Sequence, residues 1–112
     1  MMPSRRNLAA LLSGLTMAAC AIDLAIAQPL PDQGRALAQS MCAECHAIQS
    51  AQLQSPNPYA PSFETIANIR GMSSPALWSI LHTSHRRMPN VILHPDQTRA
   101  IVSYILTLQD PD

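Results

Sequence analysis

Five consecutive residues, Cys42-Ala43-Glu44-Cys45-His46, place two thiols three positions apart with an imidazole immediately after them. That spacing lets both thiols add to the two vinyl groups of one haem while the neighbouring imidazole ligates its iron. On a helical turn positions i and i+3 share a face, so Cys42 and Cys45 both reach one edge of a porphyrin lying against the turn. His46 then points under the ring. Two other chemistries use a bare Cys-x-x-Cys. A structural zinc site requires two further ligands of matching spacing, and no cysteine follows Cys45. A thioredoxin-like dithiol belongs in a strand-rich βαβ setting, and no such pattern surrounds the motif. Covalent haem uses all three side chains, with a structural or redox dithiol as the alternative.

The elements that must position this motif read as helices. Asp32 is an N-cap candidate after the extended Gln28-Pro29-Leu30-Pro31. From there Gly34, Leu37, Ala38 and Met41 recur at i, i+3, i+4 and i+7, one face of a helix that delivers the chain into Cys42. Residues 47 to 62 carry Pro56, Pro58 and Pro61 among Ser, Gln and Asn, and read as a loop long enough to have a function, such as wrapping the proximal side of the haem. Phe63 to Ile69 reads as a short helix with Phe63, Ile66 and Ala67 on one side, ended by Gly71. Ser74-Pro75 supplies a hydroxyl cap and a first-turn proline for a helix carrying Leu77, Trp78 and Leu81, fading near His85. Trp78, the single tryptophan, is expected in the core, or with its N–H on a haem propionate. Pro89 pushes Met88 out of the α region, so its thioether projects from a loop. The last helix begins at Pro95 with Asp96 in its first turn, shows Ile101, Tyr104, Ile105 and Leu108 on its apolar face, and closes at Asp110-Pro111. No strand pattern and no internal repeat is present. The fold class is all-α.

The chain opens with Arg5-Arg6 and an apolar run from Leu8 to Ile22, a basic region and a short hydrophobic region that read as an export leader. The run is shorter than the ~20 apolar residues a bilayer span requires. Ala25-Ile26-Ala27 offers small residues at the two positions a signal peptidase reads, so cleavage after Ala27 is expected. That leaves residues 28 to 112 as one domain, in the periplasm. The alternative is a lipoprotein anchored at Cys20, which follows Met17-Ala18-Ala19. The Ser4-Arg5-Arg6 pair is a weak twin-arginine signal. The 85 residues after Ala27 hold five arginines, no lysine and six acids, a balance without the basic face that nucleic-acid binding demands. So short a chain has a thin apolar core, and a haem held covalently supplies much of the surface its helices pack on.

Taken together, these residues resemble the small monohaem class I cytochromes c of bacteria, with an N-terminal Cys-x-x-Cys-His and a distal methionine near the C-terminus. The likeness covers the whole chain after the leader. Gly34, eight residues before Cys42, matches the family's glycine where the first helix crosses the last, and Ile101 and Tyr104 match the aliphatic and aromatic pair packed there. Pro61 matches the proline whose carbonyl holds the proximal imidazole, a contact that fixes the histidine's tautomer. Met88-Pro89 matches the methionine-proline pair of the distal side. The resemblance implies a small cytochrome c-like fold around one covalent haem c per chain, attached through Cys42 and Cys45, with His46 and Met88 as iron ligands. Two features depart from the family. Ala38 stands where the first helix often has an aromatic, and the lysines with which mitochondrial members dock are absent.

The resemblance implies a one-electron carrier, not an enzyme, serving redox partner proteins, without nucleic acid and without a membrane unless Cys20 is lipidated. Two axial protein ligands leave no open site for substrate, and a histidine-methionine pair raises the potential relative to two histidines. Two other readings stay open: a haem-bearing electron-transfer subunit of a dehydrogenase or oxidase complex, and a haem protein whose vacant distal position binds a small ligand. His82, His85 and His94 are alternative distal ligands whose bland role is a solvated residue or helix cap. Met72, beside Gly71, is expected to pack at a turn. Arg86 and Arg87 form either a docking patch at the haem edge or two solvated charges.

Overall fold

The structure, a computed structural model, describes residues 27–52, 54–83 and 87–111. Residues 1–26 of the leader, Cys20 among them, and His85 and Arg86 therefore lie outside the described residues. Four helices follow in order: α1 Leu30–Met41, α2 Phe63–Ala67, α3 Ser74–Leu81 and α4 Pro95–Leu106. Among the described residues there is no strand, and no helix is long and apolar enough to cross a membrane. The all-α architecture is the one the sequence predicts.

α1 starts three residues earlier than Asp32 as cap would allow. Pro29 is the N-cap, its carbonyl accepting from the N–H groups of Asp32 and Gln33 at 3.0 and 3.2 Å. Pro31 fits the first turn, where a missing N–H costs nothing. Asp32 instead sits inside that turn, where its negative charge opposes the helix dipole.

The most extensive helix contact is between α1 and α4. Gly34 makes it possible: a side chain there would run into the Ala100 carbonyl and bring a Cβ within 2.8 Å of the Tyr104 Cβ. The crossing thus falls at Gly34 and Tyr104 as the sequence predicts, with the Ala100 backbone, not the Ile101 side chain, directly beneath the glycine. Ile101 is fully buried one position on, in a core with Ala38, Phe63, Leu77, Tyr104 and Ile105. Ala38, small at a position where α1 faces this core, has no exposed surface.

α2 begins where Ser62 accepts a 3.0 Å hydrogen bond from the Thr65 N–H. It ends at Ala67, short of the predicted Ile69, because Asn68 leaves the helix to tie two distant segments. Its side chain donates to the Leu108 carbonyl at 3.1 Å and accepts from the Asp110 N–H at 2.8 Å. Gly71, at φ +80°, then turns the chain toward α3. The α3 cap is Ser73, one residue before the expected Ser74, with Pro75 in the first turn. The helix stops at Leu81 because the next two side chains take its carbonyls: His82 Nδ1 bonds to Trp78 O at 2.8 Å and Thr83 Oγ1 to Ser79 O at 2.7 Å. α4 opens with His94 as cap, its N–H donating to Gln97 Oε1 at 2.9 Å. It ends at Leu106, and the turn after it, not helix, carries Leu108 to Asp110.

Trp78 is a correction. It is 37 % exposed rather than in the core, and stacks on the His82 ring with centroids 5.0 Å apart and planes 22° apart.

Candidate functional site

The C-terminus of α1 carries the chain straight into the motif. Cys42 N–H still bonds to Ala38 O at 2.8 Å, and the His46 N–H donates to Cys42 O at 2.8 Å. The motif is therefore a continuing helical turn, the arrangement that puts both thiols on one side. Cys42 and Cys45 are half-buried and do not form a disulfide with each other.

His46 is held from two directions. Its Nδ1 lies 2.7 Å from the Pro61 carbonyl. A carbonyl only accepts, so Nδ1 is the donor, and in the neutral ring Nε2 is then the nitrogen with the lone pair. The face of the ring meets Phe63 at 5.6 Å between centroids, and Phe63 in turn meets Tyr104 at 6.5 Å. Phe63 N–H donates to Ala47 O at 2.8 Å, so the start of α2 is fastened to the residue after the histidine.

The proline-rich segment between them is pinned and not loose. The Ala47 N–H donates to Ser55 Oγ at 2.9 Å, the Ala51 N–H to Glu64 Oε2 at 3.2 Å, and the Asn57 N–H to the Cys45 carbonyl at 3.1 Å. These bonds fold the segment back over the motif and bring Pro61 to the imidazole.

A cavity of about 380 Å³ opens beside the motif, within the range of sites for small molecules and cofactors. Met41, Cys42, Cys45 and His46 line it from the end of α1 and the motif, and Asn57, Tyr59, Ala60 and Pro61 from the proline-rich segment. Ile66, Ile69 and Ile80 add apolar surface from α2, the turn after it and α3. Arg87, Met88, Pro89 and Val91 complete it from the segment between α3 and α4. All five sequence-predicted residues, Cys42, Cys45, His46, Pro61 and Met88, thus border one space.

Of the alternative ligands, His82, His94 and Met72, which lie in the described residues, do not. His82 faces Trp78, and His94 lies 3.9 Å from Asp96 at the exposed start of α4. Met72 packs against the core, and Trp78 is not among the cavity's walls. Tyr59 and Asn57 carry no periodic signal in the sequence. The only local mark was an asparagine ahead of a proline, a turn signal.

The donor set tests what this cavity can hold. Among the described residues no group of three or more His, Cys, Asp or Glu side chains gathers as a metal site of the kind a structural zinc centre uses. Burial pushes the Cys42 thiol above its usual range, the reverse of the lowered value that makes a redox dithiol reactive. Two thiols, an imidazole, a thioether and mostly apolar walls fit a haem.

A family model described as Cytochrome c matches residues 31–109. The chain belongs to the cytochrome c family. No curated protein and no solved structure gives a significant match to it. As a small cytochrome c, it binds haem c covalently and works by haem-based electron transfer with redox partner proteins. Within this cytochrome, the crossing of α1 and α4 and the proline-rich segment have one shared result, a motif whose two thiols and imidazole open onto the same apolar cavity.

Proposed function

We propose that this cytochrome is a periplasmic one-electron carrier holding a single haem through Cys42 and Cys45, with His46 and Met88 as its two axial ligands. The observation that carries the reading is the shared cavity: Met88 borders the same space as Cys42, Cys45 and His46. When bound, haem supplies the ferric and ferrous couple. The residues supply what makes that couple a carrier's. The Pro61 carbonyl keeps the His46 proton on Nδ1 and so directs Nε2 to the iron. Met88, extended ahead of Pro89, offers a soft sulfur that favours the ferrous state. Ile66 of α2 and Ile80 of α3 would shield a bound haem from water.

Export is the remaining part of the proposal. The basic start and apolar run of residues 1–27 support a leader cut after Ala27, and a Cys-x-x-Cys-His chain matured outside the cytosol suits that route. The mass of the N-terminus of the mature protein distinguishes cleavage at Ala27 from an acylated Cys20.

The function is tested on the matured protein by three measurements. Intact mass under denaturing conditions is expected to show one haem added per chain. Visible spectra are expected to show a low-spin iron in both states, and titration a reversible one-electron couple. A chain of bare mass removes the haem reading. A ferrous form that takes up carbon monoxide at once places this protein among the open-site haem proteins.

A further inference from the structure

The segment between α3 and α4 carries Met88, and Pro89 fixes its backbone only locally. One side chain ties it across the cavity. The guanidinium carbon of Arg87 lies 4.5 Å from the centroid of the Tyr59 ring, within the ~6 Å over which a cation is attracted to an aromatic face. Both residues line the cavity with Met88 and His46.

Tyr59 is itself anchored to the motif. Its N–H donates to Asn57 Oδ1 at 2.9 Å, and the Asn57 N–H donates to the Cys45 carbonyl at 3.1 Å. Two residues further on, the Pro61 carbonyl holds His46. One end of the Arg87–Tyr59 contact is thus two hydrogen bonds from the Cys-x-x-Cys-His turn, and the other is one peptide bond from Met88.

We propose that Arg87 is a positioning residue for the Met88 thioether, latched on the Tyr59 ring so that the methionine-bearing segment keeps its distance from the histidine-bearing one. The inference rests on Met88 being an iron ligand. Tyr59 is 73 % exposed, so the latch closes the cavity at its solvent edge. Its strength is that of an exposed cation–aromatic pair, enough to bias the segment toward the ligated position without locking it.

Arg87 also carries a fixed charge, and its removal alters the field at the iron as well as the contact. The test therefore pairs it with neutral changes. In the ferric holoprotein, imidazole binds only when the thioether leaves, so its apparent affinity measures how firmly Met88 is held. Arg87→Ala and Tyr59→Leu are each expected to raise that affinity about two- to fivefold, and the double variant no further than either single one. Tyr59→Phe, which keeps the aromatic face, is expected to match the wild type. Wild-type imidazole affinity in Tyr59→Leu, in a protein whose Met88→Ala variant binds imidazole far more tightly, overturns the latch and leaves the ligand standing. Unchanged affinity and spectrum in Met88→Ala overturns the ligand itself.

Discussion

The phenol of Tyr104 donates a 2.7 Å hydrogen bond to the carbonyl of Ile48, across 56 residues of sequence. Ile48 is two residues beyond His46, so the last helix is fastened to the chain just past the motif. The same ring lies against Phe63, which backs the imidazole. Tyr104 thus links the α1 and α4 crossing to the orientation of His46.

The burial of that phenol sets a pH dependence. Burial raises the pKa of the Tyr104 phenol above its ordinary value of 10.0, partly offset by the positive charge of Arg35. The unfolded chain, with its ordinary phenol, loses this proton first as pH rises. It then binds fewer protons than the folded chain, and stability falls. The contribution is fully present below about pH 10 and is lost as pH climbs through the higher folded value. Denaturant unfolding at neutral pH is expected to show Tyr104→Phe less stable by about 1 to 3 kcal/mol, from the unpartnered Ile48 carbonyl. Above about pH 10 the variant is expected to lose less stability than the wild type. Parallel curves for the two proteins would place the alkaline loss elsewhere.

Gly34 offers a second test. Because even a Cβ at this position overlaps the Ala100 carbonyl, the two helices must move apart to admit one. Gly34→Ala is expected to cost about 1 to 3 kcal/mol, and Gly34→Leu more. Thermal melting of the matured variants checks this. Wild-type melting in Gly34→Ala would show that the backbones approach elsewhere.

That Cys42, Cys45, His46 and Met88 border one cavity was legible in part because each is fixed by covalent spacing or by a rigid dihedral. Cys42, Cys45 and His46 sit within five residues, and Pro89 restrains Met88 whatever surrounds it. Gly34, Ile101 and Tyr104 were legible through helical period. Trp78 was not, since it follows Leu77, and adjacent helical residues point about 100° apart. With Leu77 buried, Trp78 faces outward. Helix ends were misread by a few residues where side chains of His82, Thr83 and Asn68 compete for backbone groups. The cavity walls contributed by Asn57 and Tyr59 depend on partners at Cys45 and Arg87, and pairing across such distances leaves no local trace.

Phe63 is expected to matter to stability and spectrum together. It is buried between His46 and Tyr104, and truncation to alanine at such a site costs about 3 to 5 kcal/mol. In a chain this small that is a large share of the folding free energy. The imidazole also loses the face that sets its angle, so the ferric spectrum of any folded Phe63→Ala protein is expected to change. Phe63→Leu, which keeps most of the volume, is expected to recover stability better than spectrum. An unaltered spectrum in both variants would mean that the Pro61 hydrogen bond alone orients His46.

The sixth ligand can be decided by comparing two methionines in different surroundings. Met88 borders the cavity with the two thiols and the imidazole, whereas Met72 packs against the core after Gly71. A thioether on the iron favours the ferrous state and gives the ferric form a weak sulfur-to-iron band in the far red. Met88→Ala is expected to abolish that band, lower the potential and let carbon monoxide bind the ferrous form readily. Met72→Ala is expected to do none of these, and to show only the lower stability of a trimmed packing residue. His85 lies outside the described residues, so its variant belongs in the same series. If Met88→Ala keeps the wild-type spectrum while His85→Ala alters it, the ligand pair is two histidines and the carrier works at a lower potential.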